Sequence, residues 1–294
     1  MEHEAEFKLE YNKKLEKVNQ WLDEIVPKAE GDCKELYEAI RYSLFAGGKR
    51  IRPVIAMAVC EMLGGDVDQV MPFACAIELI HTYSLIHDDL PSMDDDDLRR
   101  GKPTCHKQFD EAAAILAGDA LQSMAFELMA RSEINPIIVL ECIRTVATAA
   151  GGDGMVGGQI LDMAGCGDDA DLHNKMNNLK TGALIMASAW VGALVGKASM
   201  EDYRPIGIYA QNLGIAFQVK DDILDVEGSA EKLGKATGHD DEMDKFTYVK
   251  MMGLEKAKEY LLQLTDYCKD EIAVFGEKSF FLQDLATYLY EREN

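Results

Sequence analysis

The sequence is short of helix breakers, of basic residues and of paired cysteines, and each shortage excludes something. Only seven prolines occur in 294 residues, and β-type alternation between turn dipeptides is almost absent, which argues against a sheet-based fold. Lys and Arg number 30 against 52 Asp and Glu, a formal charge of −22. That balance excludes nucleic acid or an anionic membrane as the main partner. It also means that any bound anion must be met by a few converging bases or by metal cations. The seven cysteines are scattered without a C-x-x-C pair, so neither a zinc site nor a disulfide framework is expected and a reducing cytosol is the default. The N-terminal Met1–Glu6 stretch is acidic, without the basic and apolar regions of a leader. The most apolar run, Thr181 to Val195, is too short to span a bilayer. A soluble, cytoplasmic protein without stable membrane association is the expectation.

What is present is helical periodicity. Leu9, Leu15, Val18 and Leu22 recur at spacings near three and four, as do Leu36, Ile40, Leu44 and Phe45. Similar stripes cover 54–63, 70–87, 111–130, 136–149, 172–195, 203–225, 254–275 and 279–290, with Gly pairs between several of them. No linker divides the chain, so residues 1–294 are read as one all-α domain. Glu227 to Lys245 is weakly apolar and highly charged, either a surface loop or an active-site flap. Gly152 to Gly157 formally fits G-x-G-x-x-G, but it follows a helical rather than a strand pattern and is read as a turn between helices.

Two acidic clusters close apolar runs. In Asp221-Asp222-Ile223-Leu224-Asp225, residues i and i+4 of a helix share a face, so Asp221 and Asp225 can address one ion. A solvated helix face explains one such cluster; Mg²⁺, held by a few carboxylates and substrate phosphates, is the alternative. The other cluster is denser: Asp88, Asp89 and four consecutive aspartates at 94–97, followed by Arg99, Arg100 and Lys102. Stacking so many carboxylates beside an apolar run is costly without a counter-cation. Carboxylates beside guanidiniums are the composition of a metal–diphosphate site. An ideal helix aligns Asp88 with Ser92 and Asp95, but Pro91 spoils that geometry, so spacing leaves open which of 94–97 binds metal.

At these residues the chain resembles the trans-prenyltransferases, the short-chain polyprenyl diphosphate synthases. The motif D-D-x-x-x-x-D followed by R-R-G is matched by Asp88 to Asp94 and Arg99-Arg100-Gly101, and D-D-x-x-D by Asp221 to Asp225. Gly47-Gly48-Lys49-Arg50-Ile51-Arg52-Pro53, Gly158-Gln159-Ile160-Leu161-Asp162, Lys180-Thr181, Phe217-Gln218, Gly234 to Asp240 and Lys245-Phe246-Thr247-Tyr248 follow the family order. The resemblance implies an isoprenoid synthase-type bundle of ten or more helices around a central cavity, a homodimer, and acidic motifs facing each other. It implies a Mg²⁺-dependent 1′–4 condensation of isopentenyl diphosphate with an allylic diphosphate, with three ions per site.

By the same resemblance Asp88, Asp94 and Asp221 are metal ligands, supported by Asp89 and Asp225. Lys49, Arg52, His81 and Arg100 match the isopentenyl diphosphate site. Arg99, Lys180, Lys235 and Lys245 match positions around the allylic diphosphate, and Thr181 and Gln218 offer oxygens to the allylic cation. His87, His106, His173 and His239 are read as structural hydrogen bonders. Tyr83 stands five residues before Asp88, about 7.5 Å along a helix. In the family that the chain resembles, a bulky aromatic there, with Ser84 beside it here, accompanies a short pocket and a C15 product, which the resemblance therefore implies. Competing expectations are a C20 synthase, a non-catalytic subunit of a hetero-oligomeric synthase, which should have lost a motif that this chain keeps, and a plain helical bundle with acidic caps.

Overall fold

The computed structural model describes residues 2–227 and 246–292. Among them the expected helices form: α1 Glu2–Ile25, α2 Lys34–Leu44, α3 Ile51–Met62, α4 Val67–Asp88, α5 Cys105–Gln108, α6 Glu111–Ala130, α7 Pro136–Ala150, α8 Met155–Ala164, α9 Ala170–Asn177, α10 Ala183–Val195, α11 Tyr203–Glu227, α12 Tyr248–Met252, α13 Leu254–Ile272 and α14 Phe280–Glu291. The architecture is all-α. Helix starts are set locally. Asp66, Asp110 and Asp169 accept backbone N–H groups of their first turns, from Asp68, Ala113 and Asp171 with Leu172, each such cap being worth about 1 kcal/mol.

Helix α4 is apolar nearly all round, and it is therefore central. Phe73, Ile77 and Ile80 are fully buried in the largest core cluster together with Leu22, Ile40 and Leu44 of α1 and α2 and Leu121 of α6. Each such side chain contributes about 1.5–3 kcal/mol. A second core joins α3, α10, α11 and α14 through Ile55, Ala189, Tyr209 and Leu285, and a third packs α11 on α12 and α13.

The Arg99-Arg100-Gly101 segment forms a two-stranded antiparallel ribbon, β1 Leu98–Arg99 and β2 Lys102–Pro103. Asp94 to Asp97 lie in the turn that follows the end of α4 at Asp88, and α11 continues through the second acidic motif to Glu227. One expectation needs correction: α4, α6 and the continuous stretch Ala170–Val195 are long and apolar enough to cross a membrane by length and composition, because polar residues spaced along a helix do not lower its mean hydropathy enough. The most apolar window of α4 is 72% buried inside the protein.

Candidate active site

The site is assembled from four backbone irregularities. The first is the Gly47–Arg50 loop, where Gly47, Gly48 and Arg50 all have positive φ (105°, 124° and 50°). A side chain at Gly48 would collide with the Arg100 guanidinium, and Arg100 donates to the Gly47 carbonyl. The β-ribbon thus clasps the loop and brings Arg100 beside Lys49 and Arg52. The charges of Arg52 and Arg100 both act on His81 of α4; burial first and those charges second hold His81 well below the usual imidazole range. Burial also lowers Lys49, with Arg292 the next cause. Lys49, Arg52, His81 and Arg100 therefore form one basic cluster.

The second irregularity is the abrupt end of α4. The Asp94 N–H returns to the Asp88 carbonyl at 2.9 Å, and the Asp95 N–H to Leu90 at 3.1 Å with Asp95 at φ 52°. This return sets Asp94 over Asp88. Asp89 is buried (3% exposed) and takes Arg99 Nε at 2.6 Å, and Arg99 also reaches Asp96 at 3.3 Å. Asp97 pairs with Lys107 at 2.8 Å. Arg99, Asp96 and Asp97 thus fasten the ribbon. Burial pushes the Asp89 carboxyl up to about 6 despite Arg99, and also raises Asp88.

The third is a π-helical turn, Asn178–Gly182, between α9 and α10. Such one-turn bulges re-aim side chains. Here Lys180 Nζ meets Asp162 at 2.6 Å and Asp88 at 3.7 Å, while Thr181 Oγ1 donates to Gln218 Oε1 of α11 at 3.3 Å. Gly158 of α8 lets the two backbones touch, since a Cβ there would strike the Lys180 N and Cα. Helix α8 also supplies Gln159, which donates to Asp88.

The fourth is the chain's return at Arg292, beyond α14. Its guanidinium donates to Asp221 Oδ1 at 2.7 Å and to the Phe217 carbonyl at 3.0 Å, over the Phe217 ring. Asp222 is buried and accepts from Gln218 at 2.9 Å and from the Tyr248 N–H at 2.8 Å. One Asp225 oxygen is buried without a hydrogen-bond partner among the described residues.

The expected residues therefore largely converge: Asp88, Asp94, Lys180, Thr181, Gln218 and Asp221 run from α4 through the π-turn to α11. Lys235, Lys245 and His239 lie outside the described residues. Tyr83 is buried and packs its ring edge-on to His87, 5.7 Å between centroids. His87 in turn meets the Ile115 carbonyl at 3.0 Å, so Tyr83 is turned toward α6, while Ser84, one helical turn before Asp88, bonds the His81 carbonyl at 2.8 Å. His106 and His173 are hydrogen-bonded to Thr104 and Asn177, as structural histidines should be. Among the described residues no three His, Cys, Asp or Glu side chains are gathered to hold a metal.

Gln159, Asp162 and Arg292 were not singled out from sequence. Gln159 and Asp162, three apart, share a helix face inside a recognised block and could have been found. Nothing local marks Arg292, 71 residues from its partner.

A polyprenyl synthetase profile matches residues 33–274. The chain belongs to the polyprenyl synthetase family. It is 47% identical over 291 residues to a heterodimeric geranylgeranyl pyrophosphate synthase large subunit of Arabidopsis thaliana, covering 96% of this chain and 78% of that one. It is 48% identical over 255 residues to a farnesyl diphosphate synthase of Geobacillus stearothermophilus, covering 85% and 86%. A Helicobacter pylori geranyltransferase, solved with magnesium and isoprenyl diphosphate, superposes with a TM-score of 0.83 at 32% identity, covering 95% and 94%. As a polyprenyl synthetase the chain is a prenyltransferase, and the helical bundle is that of the isoprenyl synthases.

Proposed function

We propose that this prenyltransferase makes farnesyl diphosphate, joining isopentenyl diphosphate first to dimethylallyl and then to geranyl diphosphate. The observation that carries the reading is the π-turn, which puts Lys180 on Asp88 of the first acidic motif and Thr181 on Gln218, itself bonded to Asp222 of the second. Asp88, Asp94 and Asp221 would hold Mg²⁺, three ions with substrate bound. The residues fit such a cation: Asp225 keeps a buried oxygen without a hydrogen-bond partner among the described residues, and burial disfavours ionised Asp88, a cost that a divalent ion offsets. Bound Mg²⁺ supplies charge to neutralise the departing diphosphate.

The chain's own residues do the rest. Lys180, with Arg99, Lys235 and Lys245, binds the allylic diphosphate and holds its C1 toward the second substrate. Lys49, Arg52, His81 and Arg100 orient isopentenyl diphosphate by its diphosphate, His81 as a neutral donor. Thr181 and Gln218 turn oxygens toward the allylic cation as the C–O bond breaks. Tyr83 closes the far end of the prenyl pocket, with Ser84 above it on the same helix.

The reading includes a cytoplasmic homodimer. All seven cysteines are free, as suits a reducing compartment. Helices α6 and α7 expose Leu116, Ile115, Ile137 and Leu140, an apolar face that a second copy would cover. Light scattering checks the dimer, and a monomer at micromolar concentration removes it.

A geranylgeranyl product is the second reading, favoured by Tyr83 leaning toward α6. Radiolabelled isopentenyl diphosphate, supplied with dimethylallyl diphosphate with and without Mg²⁺, decides between them by product chromatography. A metal-dependent C15 product is expected; C20 replaces the first reading with the second, and no elongation removes both. Tyr83→Ala should lengthen the product, and an unchanged C15 product dismisses Tyr83 as the limit.

A further inference from the structure

Where the Gly47–Arg50 loop enters α3, Arg50 is the basic residue that the basic cluster does not use. It is buried, at 4% exposure, and adopts the left-handed region at φ 50°, which costs a non-glycine residue about 1–3 kcal/mol. Its guanidinium repays that strain across three helices. Nη1 donates to Glu78 Oε1 of α4 at 2.8 Å, Nη2 to the Leu44 carbonyl ending α2 at 2.6 Å, and Nε to Asn19 Oδ1 of α1 at 3.1 Å. Glu78 is as buried as Arg50, with 3% of its side chain exposed, and it stands one turn before His81. The Tyr11 hydroxyl donates to the Lys49 carbonyl, tethering the backbone on the other side of Arg50. Lys49 and Arg52 leave the loop on either side of this pin, and Glu78 is also the carboxylate whose charge most supports Arg52 and Arg100.

We infer that Arg50 and Glu78 are a positioning pair for the isopentenyl diphosphate subsite. They fix the loop so that Lys49 and Arg52 meet His81 and Arg100 around one diphosphate, without touching the substrate themselves. The inference rests on the proposed function for the identity of that anion. A pair serving stability alone predicts a different outcome, because exchanging both partners of a buried ion pair for apolar residues is often neutral for stability.

The test is the double variant Arg50→Met/Glu78→Leu beside wild type, read by steady-state kinetics and by calorimetric titration of isopentenyl diphosphate. A folded double variant should show a KM and Kd for isopentenyl diphosphate raised about tenfold, with the KM for the allylic diphosphate changed less than twofold. An unchanged isopentenyl diphosphate KM, or an equal rise for both substrates, overturns the inference. Should the double variant not fold, Glu78→Gln carries the same comparison, with a rise of about threefold expected and no rise overturning the pair. Wild type that binds isopentenyl diphosphate without elongating it removes the proposed reaction and leaves the Kd comparison standing. Wild type that does not bind it removes both.

Discussion

The two acidic motifs present the same pair of aspartates by opposite means. At the end of α4 the helix breaks and a tight return carries Asp94 back to Asp88, whereas in α11 the helix runs on through Asp221 to Asp225. Yet within each pair the division of labour is the same. Asp88 and Asp221 face basic groups at the site, and Asp89 and Asp222, each 3% exposed, turn inward to hold another piece of chain. Asp89 holds the ribbon through Arg99, and Asp222 holds α12 through the Tyr248 N–H. On the proposed function, a doubled aspartate is one group for chemistry and one for architecture, built on whichever backbone is at hand.

That division can be broken from either side. Asp88→Asn should cost the most, about 10³-fold in kcat, as expected for losing one group that stabilises developing charge, with an unchanged melting temperature; steady-state kinetics beside thermal unfolding reads both. Gly158→Ala should follow at about 10²-fold, because its Cβ would overlap the Lys180 backbone and push it by about 1 Å in a site where such shifts are costly. Its effect should vanish in a Lys180→Ala background, and full additivity would show that Gly158 does not act through Lys180. Asp222→Ala should lower stability by about 2 kcal/mol through the charged hydrogen bonds it removes, measured by denaturant titration. A loss confined to kcat would put Asp222 with the chemistry instead. Smallest is Arg292→Ala. Asp221 is partly exposed, so the pair is worth under about 1 kcal/mol. Its removal should lower the Mg²⁺ concentration for half-maximal rate about threefold, and a higher requirement would show Arg292 helping the metal rather than competing with it.

Much of this was legible before any coordinates. Helical stripes such as 70–87 and 203–225 follow from burial of one face, and burial leaves its period in the sequence. Asp88, Lys49 and Lys180 stand in recognisable blocks. The ribbon at Arg99 was not legible, since two residues per strand leave no alternation to read. Nor was the π-turn, whose single extra residue slips the helical period by too little to stand out in so short a stretch. The inward roles of Asp89 and Asp222 were hidden for a different reason, because adjacent identical residues carry no mark of which one faces the core. Arg292 was invisible because its partner is distant in sequence.

The π-turn has a consequence for how this chain can be altered. Relative to an α-helix it amounts to one residue inserted into the stretch 170–195. Deleting any single residue there would restore a regular helix and swing everything on one side of the cut by about 100°. Lys180 could then face Asp88, or Thr181 could face Gln218, but not both. Length in this segment is therefore as specific as residue identity. A library that tolerates substitutions throughout α9 and α10 should still reject one-residue deletions there.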